Sequence, residues 1–363
     1  MHVLAVNAGS SSLKLSVIGA NDETLAETEL PGAQAGSANE DALFGFIAAQ
    51  QGLGAVGHRI VHGGAVLQAP VIVDDTVRAK LDVAAQLAPL HVPPALAVLD
   101  AVRARTRLPQ VACFDTAFHA TLPAAATTYA IPRAWREDYG IRRFGFHGLS
   151  CAWALRRTSA MLGRSTESLQ LVVAHLGAGA SVTAIRDGRS ADTSMGFTPL
   201  EGLVMATRSG TVDPGALLYV QTHGRVGPAA MNEALERGSG TLAIGGSADM
   251  RAILARAGAG DAAAVLARDV YVHRARALLS AVAASLDRLD AIVFTGGVGE
   301  HADEIRSRIC KGLGVLGVVA PDAVGPIKGD AVISTPQALV KVLVVRARED
   351  LEISREVREL IRP

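Results

Sequence analysis

Residues 192–210, DTSMGFTPLEGLVMATRSG, combine unusual residue types with an unusual pattern. Three formal charges, Asp192, Glu201 and Arg208, are scattered among Thr, Ser, Gly and Pro. Neither a strand nor an amphipathic helix is usually written this way. A long polar loop whose charges lie beside glycine and proline is more often a site than a connector. Arg208, in TRSG, is the leading candidate for chemistry. A guanidinium forks two bonds onto carboxylate or phosphoryl oxygens, and the loop has few carboxylates to pair with it. The competing reading is an arginine that anchors loop carbonyls.

Two further segments fit an anionic ligand. NAGSSSLK, residues 7–14, offers backbone N–H groups, three hydroxyls, an amide and an ammonium. Phosphate oxygens want such donors in a tight concave turn. Asn7 suits a hydrated Mg²⁺, and Lys14 suits a point charge near phosphate. A polar hairpin turn is the plainer reading. HLGAGAS, residues 175–181, places Gly177 and Gly179 where a backbone must approach a ligand closely, or in an ordinary glycine-rich hairpin. Together with the 192–210 loop these segments point to phosphoryl transfer. TGGVGE, residues 295–300, follows a strand and precedes a helix, a reasonable place for a nucleotide.

Histidines recur in HRIVHGG (58–64), FDTAFH (114–119) and RRFGFHG (142–148). Each is either a hydrogen-bonded structural residue or a site residue. No HxxxH or HExxH spacing occurs, although a His/His/Asp zinc site assembled in space stays open. Cys113 and Cys151 have apolar neighbours and read as packing residues, as do Met195 and Met205.

The elements that carry these residues alternate. Strands are expected at 3–6, 13–18, 169–174, 182–185, 291–297 and 341–347, and helices at 94–106, 149–163, 261–288, 302–314 and 353–361. The first Gly/Ser turn joins strand to strand, unlike a Walker loop or a Rossmann fingerprint, which joins strand to helix. The same strand–turn–strand grammar returns about 165 residues later around HLGAGAS, which suggests a duplicated domain. Strands alternating with helices give an α/β class with largely parallel central sheets.

Composition narrows the partners. The 363 residues suffice for two domains. Equal numbers of basic and acidic residues, 35 each, give no support to a broad nucleic-acid or membrane surface. Three widely spaced cysteines are no disulfide framework and fit a reducing cytoplasm. No signal peptide or membrane span is expected.

The runs VNAGSSSLK, GHRIVHGG, LAPLH, FDTAFHATLP, YGIRRFGFHG, HLGAGAS, DTSMGFTPLEGL, TRSG, AIVFTGGVGE and KVLVV occur in this order over nearly the whole chain. In them the chain resembles the acetate kinase family, the acetate and propionate kinases. That resemblance implies duplicated actin-like (ribonuclease H-like) α/β domains with an active-site cleft between them. Residues 1–117 plus 351–363 would form the first domain and 118–350 the second. It implies reversible transfer of the γ-phosphoryl group of ATP to acetate, with Mg²⁺ or Mn²⁺, in a cytoplasmic homodimer.

The resemblance also assigns residues. Asn7 and Lys14 correspond to metal and phosphate contacts, and Glu349 to a C-terminal metal-site glutamate. Arg59 and Arg208 correspond to arginines that hold the acyl carboxylate and the transferring phosphoryl group. His147 corresponds to a donor to phosphoryl oxygens, Asp115 to the acid that organises the metal or the attacking group, and His91 to another active-site histidine. Val61, Leu90, Phe146 and Pro199 would line the pocket for the acyl methyl group. Nucleotide contacts would come from His175, Leu176, Gly177, Ala178 and Gly179, from Asp249, Met250 and Arg251, and from Gly297, Val298, Gly299, Glu300 and His301.

Departures from the family pattern bear mainly on the nucleotide. Ala178 stands where Asn is usual, Thr211 where Asp is usual, and His301 where Asn is usual. RAR precedes Glu349 where Thr-Asn is common. The alternatives are a propionate or butyrate kinase, a sugar kinase using Asp115 as base, and a non-enzymatic ATP switch on the same fold. The last of these would not need Arg59, Arg208 and His147 together.

Overall fold

A computed structural model describes residues 1–9, 12–31, 37–321 and 327–361. The hydroxyls of Ser10 and Ser11, part of the first candidate phosphate turn, lie outside the described residues. The chain divides into two compact units. The first comprises Met1–Ala120, Phe146–Trp153 and Arg348–Pro363, and the second Thr121–Gly145 and Ala154–Ala347. Residues 146–153, placed with the second domain in the sequence reading, belong to the first unit. The backbone accounts for this, because the Gly148 N–H donates to the Asp115 carbonyl at 2.9 Å.

In the first unit, β1 (His2–Ala8), β2 (Ser12–Ile18), β3 (Thr24–Pro31), β4 (Leu53–Ile60), β5 (Val71–Ile72) and β6 (Gln110–Phe114) form one sheet, ordered β3-β2-β1-β4-β6-β5. Strands β1 to β3 meander antiparallel, β4 and β6 run parallel to β1, and β5 closes the edge antiparallel. Both faces are covered, and β1 shows it in its side chains. Leu4, Val6 and Ala8 enter one core with helices Asp75–Ala85 and Val92–Arg105. Val3 and Ala5 enter another core with Ile353 and Val357 of the helix Glu349–Ile361. Alternation puts successive residues on opposite faces, and burial of both faces accounts for an almost wholly apolar strand.

The second unit repeats the plan. Strands β7 (Gln170–Leu176), β8 (Ala180–Arg186), β9 (Arg189–Thr193), β10 (Ala291–Thr295), β11 (Ala331–Val332) and β12 (Lys341–Val344) are ordered β11-β12-β10-β7-β8-β9. Again three strands meander, two run parallel to the first, and a short edge strand is antiparallel. The duplication is therefore of whole sheets. Strand β9 takes in Asp192 and Thr193, so the expected loop begins two residues later. The C-terminal helix begins at Glu349, four residues before the apolar spacing of 353–361 suggests, on an acidic first turn favourable to a helix N-terminus.

Candidate active site

In open α/β sheets, ligands gather outside the carboxyl ends of parallel strands. In the first unit β1, β4 and β6 are neighbours, and their ends deliver Asn7, Arg59 and Asp115 side by side. Arg59 is the hub. Its Nε donates to Asp115 Oδ1 at 3.0 Å, its Nη2 to Oδ2 at 2.6 Å, and its Nη1 to Asn7 Oδ1 at 3.0 Å. Asn7 Nδ2 donates to Glu349 Oε2 at 3.0 Å, and that oxygen lies 3.6 Å from Arg59 Nε. Glu349 opens the C-terminal helix, which brings the end of the chain to this edge.

Burial sets the electrostatics of this quartet. It opposes charging Arg59, yet the Asp115 and Glu349 carboxylates outweigh it, so the guanidinium pKa is raised. Burial pushes the Asp115 carboxyl up to about 6; Arg59 pulls against it and Glu349 adds to it. Lys14 pairs with Asn7 across β1 and β2, but its ammonium is exposed and lies 3.9 Å from Glu29 on β3.

The histidines separate into kinds. His58 is buried; its Nε2–H donates to Gln110 Oε1 at 2.7 Å. His119 is buried; its Nε2–H donates to the Phe146 carbonyl at 2.9 Å. His62 accepts from the Gly64 N–H at 2.8 Å and sits edge-on to the Phe146 ring. Burial lowers all three to about 4, so they are neutral structural groups. His147 differs. It is half-buried, with φ of 58° at the mouth of the helix Gly148–Leu162. A left-handed backbone on a non-glycine residue is strain of the sort found at functional sites. His91 is half-buried just before the helix Val92–Arg105. Among the described residues no group of three or more His, Cys, Asp or Glu could hold a metal, so the His/His/Asp zinc option falls.

Of the four proposed pocket residues, Phe146 is buried, Val61 is half-buried and Leu90 is 38% exposed, all in the first unit. Pro199 is buried in the second.

The second unit has its own carboxyl-edge feature. Past β7 and β10 lies a cavity of about 600 Å³. Its lining includes Gly177, Ala178, Asp249, Met250, Arg251, Gly297, Val298 and His301. Asp249 caps the helix Met250–Gly258 by accepting from the Arg251 N–H, and it also binds the Arg251 guanidinium. Gly296 has φ of 77°, and a Cβ there would meet the Leu176 carbonyl at 2.9 Å, so the two glycine turns touch backbone to backbone. Other expected nucleotide residues lie outside the lining. Leu176 and Gly299 are buried, and His175 and Gly179 are half-buried. Glu300 Oε1 accepts from the N–H groups of Gly296 and Ala347, which makes it a clamp between two loops.

Arg208 finds a partner outside its own loop. Its Nε donates to Glu236 Oε2 at 2.8 Å, so a carboxylate 28 residues away supplies the partner that the local loop lacks. Tyr129 and Arg143 brace the same loop, and no sequence signal marks them. Both bind Glu201, and Arg143 additionally donates to the carbonyls of Ser194 and Met195, bracing the loop that bears Pro199. YGIRRFGFHG contains Arg143, but nothing in the motif indicates its partner.

The two sheets share one topology, and one carries a charged cluster at its carboxyl edge while the other carries a cavity with glycines in its wall, which is a duplicated α/β fold with a feature at each strand edge. The chain belongs to the acetokinase family, whose model matches residues 37–355. It is 38% identical to the acetate kinase of Carboxydothermus hydrogenoformans over 99% of this chain and 99% of that protein. It is similar to the crystal structure of Porphyromonas gingivalis acetate kinase, with a TM-score of 0.91 and 32% identity over 99% of this chain and all of that one. It is similar also to a propionate kinase from Francisella tularensis, with a TM-score of 0.89 and 32% identity over 98% of each.

Proposed function

We propose that this chain transfers the γ-phosphoryl group of ATP directly to acetate, reversibly, giving acetyl phosphate and ADP. A carboxylate is already ionised at neutral pH and needs no general base to attack. The protein's task is to suppress repulsion between two anions and to hold them in line. The observation that carries this reading is the Arg59 hub, a cation fixed by Asn7, Asp115 and Glu349 at a strand edge. In this assignment Arg59 receives the acyl carboxylate, and Arg208 and His147 neutralise charge on the moving phosphoryl group. Lys14 steadies the phosphates. The cavity walled by Gly177, Asp249–Arg251 and Gly297 takes the adenosine end.

In this reading Asn7 and Glu349 would hold Mg²⁺ or Mn²⁺ and Asp115 would organise it, since Mg²⁺ takes one or two carboxylates and completes its shell with water and phosphate oxygens. Asn7 Oδ1 and both Asp115 oxygens accept from Arg59, so they would have to turn from that guanidinium to serve an ion. When bound, the ion would neutralise phosphate charge. The balanced net charge favours small-molecule partners, acetate and ATP, over nucleic acid. Among the described residues no helix is long and apolar enough to cross a membrane. A cytoplasmic placement and a homodimer are part of the same reading, on family likeness.

The second reading is a propionate kinase, favoured by the similarity to the Francisella structure. One methylene is worth about 1–3 kcal/mol in a pocket. Acyl hydroxamate formation with ATP from acetate, propionate and butyrate separates the two. Preference for acetate supports the proposal. Preference for a longer acid replaces it with the second reading, and no acyl phosphate from any of them overturns both.

A further inference from the structure

Glu236 is the penultimate residue of the helix Pro228–Arg237. A carboxylate is poorly placed there, because the C-terminal end of a helix already carries partial negative charge. Its side chain is nonetheless only 11% exposed, and Arg208, 18% exposed, donates Nε to it at 2.8 Å. The residues on either side of Arg208 bind the same helix end. Thr207 Oγ1 donates to the Glu236 carbonyl at 2.8 Å, and the Ser209 N–H donates to the Leu235 carbonyl at 3.1 Å. The last carbonyls of a helix need partners from outside it, and the TRSG loop supplies two. Behind it the Ser239 N–H returns a bond to the Thr207 carbonyl at 2.9 Å. Gly240, at φ of 66°, sits where a Cβ would strike the Met205 carbonyl.

The backbone around Arg208 is thus held without the Glu236 carboxylate. The carboxylate adds control of the side chain. A guanidinium on a flexible stem has several rotamers, and a bond to Nε fixes its plane and heading. We infer that Glu236 is a positioning residue: it orients Arg208 through Nε so that the guanidinium meets the phosphoryl group during transfer. This rests on the acetate kinase reading for the identity of the reaction. It assigns Glu236 no contact with substrate.

The test combines kinetics with a spectroscopic signature. Glu236→Ala should lower kcat on the order of 10- to 100-fold, the usual penalty for a misplaced reacting geometry, with KM for ATP and acetate changed by less than about threefold. Glu236→Gln, which keeps an acceptor for Nε, should recover most of the rate. In an Arg208→Ala background, Glu236→Ala should change kcat by less than about twofold, because its effect runs through that arginine. The Arg208 Nε–H resonance, assigned by its loss in Arg208→Lys, should be protected in the wild type and in Glu236→Gln and exchange-broadened in Glu236→Ala.

Unchanged kcat in Glu236→Ala would overturn the inference. So would an equal loss in the Arg208→Ala background, which would make Glu236 a general support of the loop. A wild type that forms no acetyl phosphate would instead defeat the acetate reading. The resonance would then still decide whether Glu236 holds the arginine, and an unprotected Nε–H in the wild type would end the inference on its own.

Discussion

Arg59 meets Asp115 edge to edge: Nε lies 3.0 Å from Oδ1 and Nη2 lies 2.6 Å from Oδ2. The pair is asymmetric in exposure, with 17% of the arginine side chain open and only 1% of the aspartate. Asp115 is therefore the fixed member and Arg59 the one that can present charge outward. Arg59→Ala should leave Asp115 buried without its counter-ion, which typically costs about 3–5 kcal/mol. It should also raise KM for acetate far more than KM for ATP, by on the order of tenfold or more for a lost charged hydrogen bond. Urea unfolding and initial-rate kinetics check both halves. Equal changes in the two KM values would remove Arg59 from the carboxylate site.

Gly148 is a second control on Asp115. Its N–H donates to the Asp115 carbonyl, and a Cβ at this position would collide with that carbonyl and lie 2.8 Å from Phe118 Cβ. The main chain has no room to yield without shifting the end of β6. Gly148→Ala should cost about 1–3 kcal/mol, as overpacking usually does, and should depress turnover. Gly163→Ala is a poor control because of its positive φ, whereas Gly45→Ala, inside the helix Ser37–Ala48 with nothing within 4 Å, should leave turnover unchanged and add about 0.5–1 kcal/mol of stability. Turnover in Gly148→Ala matching that of Gly45→Ala would show that Asp115 tolerates displacement.

Much of this arrangement is readable from the sequence because it is local. Runs such as VLAV and LQLVVA are apolar over their whole length since both faces of each sheet are covered, and the turn after each is glycine-rich since backbones pass close there. The duplication shows in those turns. The third strand of each sheet does not. TLAETELP is half-exposed at an edge and carries too many charges to look like a strand, and RSADT is too short. Pairings between distant segments are equally hidden. Nothing near Arg208 announces Glu236, and nothing near Glu201 announces Tyr129 and Arg143, because ion pairs across helices and loops follow from tertiary geometry and leave no periodicity.

The buried histidines give the protein an acid limit. His58, His62 and His119 are each lowered by burial to about 4, against an ordinary value of 6.5. Between those values the unfolded chain binds protons that the folded chain refuses, so stability rises with pH there. The contribution is complete above about pH 6.5 and is lost as pH falls toward 4, about 3 kcal/mol for a fully buried ring. Asp115, pushed up to about 6, acts in the opposite sense between its ordinary value and 6, and offsets part of it. Urea unfolding at pH 7 and pH 5 should show a marked loss at pH 5. His58→Asn should narrow the difference by close to one proton's worth. A stability profile flat from pH 7 to 5 would mean that the rings charge as readily in the native state as in the unfolded chain.

Arg208 carries the sharpest kinetic expectation. Its Nε is committed to Glu236, and Thr207 and Ser209 tether the backbone on both sides, so the guanidinium is held in place before any ligand arrives. Preorganised charge of this kind needs no rearrangement during the reaction, and for that reason its removal is costly. Arg208→Ala should cut kcat on the order of 10²-fold or more while leaving most ATP affinity, which the proposed reading gives to the cavity lined by Gly177, Asp249 and Gly297. Arg208→Lys should rescue little. An ammonium is a point charge without the planar fork, and it cannot bind Glu236 by one edge while offering another to a phosphoryl group. Single-turnover measurement of acetyl phosphate formation distinguishes a slowed chemical step from slowed product release. Near-normal single turnover in Arg208→Ala, with the fold intact, would place the charge-neutralising role elsewhere in the chain.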